Sequence, residues 1–191
     1  MRRASLASLA FFYFDWTDDK RKDLRGLLTS LIFQLHDQSD SYFNILSDFY
    51  LAHRHGSKYP NDAVLTRCLK DMLSCPGQTP IYIIFDGIDG CPKSSGRIPP
   101  REAVLMFVEV LVGLHLPNLH ICVSSRPEFD ITTVISPLAL HTISLHDEPG
   151  QKEEIVQYVR SIVDSKPGMR NWAMEDKELV TTLLSQKGDG M

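Results

Sequence analysis

The sequence predicts an α/β fold, a parallel sheet flanked by helices. Three observations carry that expectation. Strand-like apolar runs alternate with stretches of helical periodicity along the whole chain. The run Ile81-Tyr-Ile-Ile-Phe85 is continuously apolar, which is the pattern of a strand covered on both faces. It ends on Asp86, with Asp89 three residues later. Strands separated by helices imply crossover connections and parallel pairing.

Each element has a local reason. Residues 7–14 form the first expected strand, because Ala10-Phe-Phe-Tyr-Phe14 is rich in aromatic strand formers. Thr17 or Asp18 is expected to cap a helix running to His36, with a stripe of Leu24, Leu27, Leu28, Leu31, Ile32 and Leu35. Residues 40–53 read as a second helix with Phe43, Leu46, Phe49 and Tyr50 inward. Asn61 can cap a third, with Val64, Leu65, Cys68, Leu69, Met72 and Leu73 on one face. Pro76-Gly77 and Pro80 stop it before the strand at 81–85. A breaker-rich loop at 92–100 leads into a helix from about Arg101 to Leu114. His120–Ser124 is the next strand, and residues 139–145 are expected to be a fourth. Helices at about 151–164 and 175–186 close the chain. The stripe of the last one, Leu179, Val180, Leu183 and Leu184, needs a partner surface.

Composition excludes several classes. The chain has 191 residues, 43% hydrophobic and 23% charged, with net charge −4. That is ordinary for a globular protein and suits one domain, or one plus part of another. Lys+Arg 20 against Asp+Glu 24 leaves no basic footprint for nucleic acid. No run reaches the ~20 apolar residues of a membrane span. Arg2-Arg3 before an apolar stretch imitates a signal peptide, but Phe14-Asp15-Trp16 follows without a small-residue cleavage site. Cys68, Cys75, Cys91 and Cys122 form no C-x-x-C pair and read as reduced core thiols of a cytoplasmic protein. The seven histidines show no metal-ligand spacing; His53 and His55 read as solvated residues on a polar turn. There is no internal repeat.

Two constellations carry chemistry. Asp86 stands at the C-terminal tip of a buried strand, where α/β sheets bind ligands. It can associate with Mg²⁺ through a water, since Mg²⁺ takes one or two protein carboxylates and keeps most of its waters. The plainer alternative is that Asp86-Gly87 and Asp89-Gly90 are turn dipeptides. Ser124-Ser125-Arg126-Pro127 lies at the tip of the next strand, and a guanidinium there can reach a phosphate. The plainer alternative is a capped helix start with Arg126 in a surface ion pair.

Together these segments resemble a family. Phe85-Asp-Gly-Ile-Asp-Gly-Cys91 is similar to the Walker B segment of NACHT-domain proteins, which are STAND-class P-loop NTPases. Val123-Ser-Ser-Arg-Pro-Glu128 is similar to their sensor 1 motif. Ala10-Phe-Phe-Tyr-Phe-Asp15 and Leu24-Arg-Gly-Leu-Leu-Thr-Ser-Leu31 resemble the strand and helix after the phosphate loop in fungal members. His141–Asp147 and Ile155–Val159 resemble the segment leading out of the nucleotide domain. The resemblance implies a P-loop NTPase-like sheet in the order 5-1-4-3-2, binding of ATP or GTP with Mg²⁺, and a signalling role gated by nucleotide, often with repeats downstream. It implies Asp86 as the Mg²⁺ acid, Asp89 as the second acid and sole catalytic candidate, and Ser125 and Arg126 at the nucleotide, with Arg126 sensing phosphate.

The sequence departs from that family twice. No Gly-x-x-x-x-Gly-Lys-Ser/Thr loop occurs in it, so strand 1 and the phosphate loop are expected to be missing and the chain to be a fragment that binds no nucleotide alone. Gly90 stands where the family carries a water-orienting acid, so no autonomous hydrolysis is expected. The expected organisation is a partial nucleotide-binding core over 1–147 and a helical extension over 148–191. Protein partners or self-association through the module are implied. The competing readings are a hydrolase using Asp86 and Asp89 as a metal pair, and a nucleotide-independent interaction scaffold. In the latter the Leu24–Leu35 stripe with Leu183 and Leu184 would face a partner.

Overall fold

A computed structural model describes residues 6–53, 59–77, 79–94, 97–144 and 151–187. The expected positions His55, Leu145, His146 and Asp147 lie outside them. The chain divides into two compact units, 1–139 and 140–191.

The first unit contains a parallel sheet of β1 (Ser8–Tyr13), β2 (Ile81–Asp86) and β3 (Leu119–Val123), in the order β1-β2-β3. Between β1 and β2 run α1 (Leu24–His36), α2 (Asp40–Ala52) and α3 (Asp62–Leu73); α4 (Pro100–Val112) connects β2 to β3, and α5 (Phe129–Ile135) follows. The core is built from Ala10, Phe12, Ile81, Ile83 and Phe85 of the sheet against Leu27, Leu28, Leu31 and Leu35 of α1 and Val104, Phe107, Val108 and Leu111 of α4. The α1 stripe is therefore core, as its period dictates, and is not available to a partner. Asn61 caps α3 as expected, its side chain accepting the Val64 N–H at 3.0 Å.

Burial alternates along β1 and β2, which corrects the expectation of a strand covered on both faces. Ile81, Ile83 and Phe85 are buried, whereas Tyr82 is 44% exposed, as are Leu9, Phe11 and Tyr13 of β1 to a similar degree. The helices of this unit cover one face of the sheet. Cys122 lies on the open face of β3 and is exposed, unlike the buried Cys68 and Cys91. All four cysteines are free.

Three further expectations fail for identifiable reasons. The cap of α1 is Asp23, which accepts the Gly26 N–H at 2.8 Å, not Thr17 or Asp18. Asp15 and Asp18 instead close their own turns by accepting the N–H groups of Thr17 and Lys20, both at 2.9 Å, the local bonding by which Asp competes with helix. In α2 the buried residue is Tyr42; Phe43 and Tyr50 are half exposed. That helix is apolar around most of its girth, so packing against α1 and α3, not periodicity, fixes its rotation. Residues 139–144 form no strand, and Leu140 and Ile143 are largely exposed. A strand exists through its ladder bonds, and this segment has no ladder partner among the described residues.

The outer edge of β1 is closed by side chains. Gln38, in the turn just after α1, accepts the Leu9 N–H at 2.8 Å and donates to the Leu9 carbonyl at 2.6 Å. Gln34, one turn earlier, does the same for Phe11 at 3.0 and 2.7 Å. Two amides four residues apart thus replace a neighbouring strand, answering the liability of an exposed edge.

In the second unit α6 (Gln151–Ser165) packs on α7 (Met174–Lys187), with Val163 and Thr181 buried and Lys177 paired to Asp164 at 2.9 Å. Leu179, Leu183 and Leu184 of the expected stripe stay about half exposed.

Candidate functional site at the strand tips

The C-terminal tips of β2 and β3 sit side by side because the two strands run parallel and in register. Asp86 is the last residue of β2. Gly87 follows at φ 70°, a left-handed conformation that glycine adopts without the steric cost of a Cβ. It turns the chain into a single 3₁₀ turn, Ile88–Gly90, that carries Asp89. Ile88 is buried and anchors that turn in the core.

Ser124, the first residue after β3, binds the two segments together. Its hydroxyl donates to Asp86 Oδ1 and accepts the Gly87 N–H at 3.0 Å. Its carbonyl accepts the N–H groups of Gly87 and Ile88 at 3.1 and 3.2 Å. Two residues on, the Arg126 N–H donates to Asp89 Oδ1 at 3.1 Å, and Arg126 Nε lies 3.5 Å from Asp89 Oδ2. The Arg126 side chain is 67% exposed, so this pair is a loose one. Ser125 is exposed. The serine that touches Asp86 is its neighbour.

The structure thus brings Asp86, Asp89 and Arg126 to one rim, with Ser124 between them. Asp86 keeps one carboxylate oxygen without a hydrogen bond to the described residues, which fits a single water-mediated contact to Mg²⁺. Asp89 is already engaged by Arg126, so it suits a metal less well. No group of three or more His, Cys, Asp or Glu side chains able to hold a metal occurs among the described residues. Gly90 is closely confined: a Cβ there would lie 3.0 Å from the Phe14 carbonyl oxygen. An acid at 90 would therefore need the end of β1 to give way.

Sequence reasoning missed a second layer. Arg101 of α4 is 4% exposed and donates through Nε to the Cys91 carbonyl at 2.9 Å, and through its terminal nitrogens to the Asp89 carbonyl, to Glu128, and to Asp130 at 3.3 Å. Lys93 joins Glu128 at 2.6 Å. The hydrogen bonds from Lys93 and then Arg101 hold the Glu128 carboxyl below its usual range, and Glu128 in turn raises Lys93. One signal was available: an arginine in the first turn of a helix opposes the helix dipole, so Arg101 required a compensating acid. Cys91 donates to the Lys22 carbonyl at 3.0 Å, and burial pushes its thiol up to about 12.

Two cavities, of about 410 and 470 Å³, lie away from this rim along α2 and share Phe49 and His53. His53 donates through Nδ1 to the Phe49 carbonyl at 2.8 Å and lies against the Phe49 ring.

The fold and rim define a parallel α/β protein with an acidic strand-tip site faced by an arginine. Residues 2–126, which include all three strands, both aspartates and Arg126, match the model described as "Nephrocystin 3, N-terminal", and the chain belongs to that family. No curated protein and no solved structure matches the chain. No described helix is long and apolar enough to cross a membrane.

Proposed function

We propose that this chain is a nucleotide-responsive signalling module of the NACHT kind, supplying the magnesium-associated acid and the phosphate sensor without hydrolytic turnover of its own. The observation that carries this reading is the convergence of Asp86, Ser124, Asp89 and Arg126 on one rim. That rim is the C-terminal end of parallel strands, where open α/β sheets take their ligands.

Asp86 would hold Mg²⁺ through water, and the ion would supply charge neutralisation at the phosphates of ATP or GTP. Ser124 fixes the Asp86 carboxylate by occupying Oδ1 and leaves the other oxygen without a hydrogen bond to the described residues. Arg126 is weakly held by Asp89 and exposed, so it can exchange that carboxylate for a phosphate, which offers its planar fork a better partner. Gly90 offers no group to orient an attacking water.

The test is an amide NMR titration with Mg²⁺ and ATP or GTP. With no phosphate loop in the sequence, the chain alone is expected to show no shift at micromolar nucleotide. Only at millimolar Mg²⁺-nucleotide are the Gly87, Ile88 and Arg126 signals expected to move, with the shifts lost in Asp86→Asn and no phosphate released. Absence of any shift at this rim at millimolar nucleotide, or shifts confined to the α2 cavities, would overturn the reading.

A second reading, a nucleotide-independent interaction scaffold, is favoured by the aromatic flank of Phe33, Phe43 and Tyr50, which are 70%, 50% and 50% exposed. Light scattering across a concentration series separates the two. A monomer at every concentration counts against self-association through that flank.

A further inference from the structure

Arg101 is the most deeply placed cation of the first unit's rim, and its partners come from two different loops. The carbonyls of Asp89 and Cys91 belong to the loop after β2. The carboxylates of Glu128 and Asp130 belong to the segment after β3. Those same two segments carry the Asp89 carboxylate and Arg126, which meet directly. A buried guanidinium without partners costs several kcal/mol, so this site was built around its contacts. Arginine's rigid fork carries five donors, enough for two carbonyls and two carboxylates; lysine offers three donors from a single point.

We propose that Arg101 is a positioning residue that makes the acid loop, 88–91, and the sensor segment, 126–130, one mechanical unit, so that displacement of Arg126 at the rim reaches α4. The link itself stands on the contacts above. Its use in signalling rests on the nucleotide reading. Lys93, exposed and bound to Glu128 and 3.7 Å from Asp130, is the outer cation of the same unit. When Arg126 moves toward a ligand, the Asp89 carboxylate loses its partner. The carbonyl of the same residue stays tied to Arg101, so the disturbance passes to Glu128 and to the first turn of α4.

Hydrogen exchange on the full chain tests this with two variants, Arg101→Lys and Glu128→Gln. Arg101→Lys is expected to raise exchange about tenfold in residues 88–91 and 126–130 together, with β2 and α1 unchanged. Glu128→Gln is the second arm: it keeps the Glu128 N–H bond to the Arg126 carbonyl and weakens only the side-chain links to Arg101 and Lys93. It is expected to raise exchange at 88–91 as well as around 128. A purely structural role predicts faster exchange in β2 and α1 as well as in the two loops. That result, or changes confined to the substituted segment, would overturn the link. If Arg101→Lys does not fold, the Glu128→Gln arm decides by the same criterion. A failed nucleotide titration with cross-loop exchange intact would remove the signalling role and leave the link standing.

Discussion

Burial keeps two thiols of this protein protonated. Cys91 is pushed up to about 12 and Cys68 to about 11, in both cases chiefly by desolvation. A thiolate is the reactive species, so a disulfide reagent is expected to modify the exposed Cys122 quickly and to reach Cys68 and Cys91 only on unfolding. Rapid native labelling of Cys91 would contradict its placement. Tyr42 buries its ring fully and leaves its hydroxyl without a well-formed hydrogen bond, although Ser8 stands near it. Replacing a buried unsatisfied group by an apolar one of the same shape is neutral or favourable. Tyr42→Phe is thus expected to change stability by no more than about 1 kcal/mol, in the stabilising direction, as read by chemical denaturation. Gly90→Glu is expected to lower stability by about 1–2 kcal/mol through its clash with Phe14, and not to produce nucleotide hydrolysis.

At the scale of elements, the outer edge of β1 is protected by Gln34 of α1 and Gln38 of the turn that follows it. Loss of one neutral hydrogen-bond partner costs roughly 1 kcal/mol, and an opened edge invites pairing between chains. The double variant Gln34→Leu, Gln38→Leu is therefore expected to lose about 2 kcal/mol or more and to self-associate in light scattering, since Leu9 and Phe11 each lose two bonds. A monomeric variant of unchanged stability would show that the glutamines only decorate the edge. The α1 cap is the second case. Asp23→Ala is expected to cost about 1 kcal/mol, and Thr17→Ala much less, because Asp23 holds the helix and Thr17 only a turn.

For the whole molecule, stability is expected to fall at both ends of the pH scale. The unfolded thiols ionise near about pH 8.5, whereas those of Cys68 and Cys91 ionise far higher in the fold. Their contribution is present below the unfolded value and is lost as pH rises into the alkaline range. Glu128, Asp15 and Asp18 have the opposite sign. The fold lowers all three, by hydrogen bonds from Lys93 to Glu128, from Thr17 to Asp15 and from Lys20 to Asp18. Their contribution is present above the ordinary carboxylate range and is lost as pH falls through the folded values. Thermal melts across pH should show both limbs, and the acid limb should be shallower in Glu128→Gln.

The alternation of strands and helices, the α1 and α3 stripes and the placement of Asp86 at a strand tip were legible in the chain. Each depends on the 2- or 3.6-residue period or on a turn residue within reach of its neighbours. Asp89 and Arg126 could be named for the same reason, as residues that follow directly from strand ends. What the sequence did not determine lies in contacts between segments far apart. The rotation of α2, the single covered face of the sheet, the glutamine seal on β1, and the choice of Ser124 over Ser125 as the partner of Asp86 all arise that way. Arg101 is the clearest instance. Its partners stand 10 to 29 residues away along the chain, and only the docking of the β2 and β3 loops over α4 gives a buried guanidinium enough acceptors to be stable there.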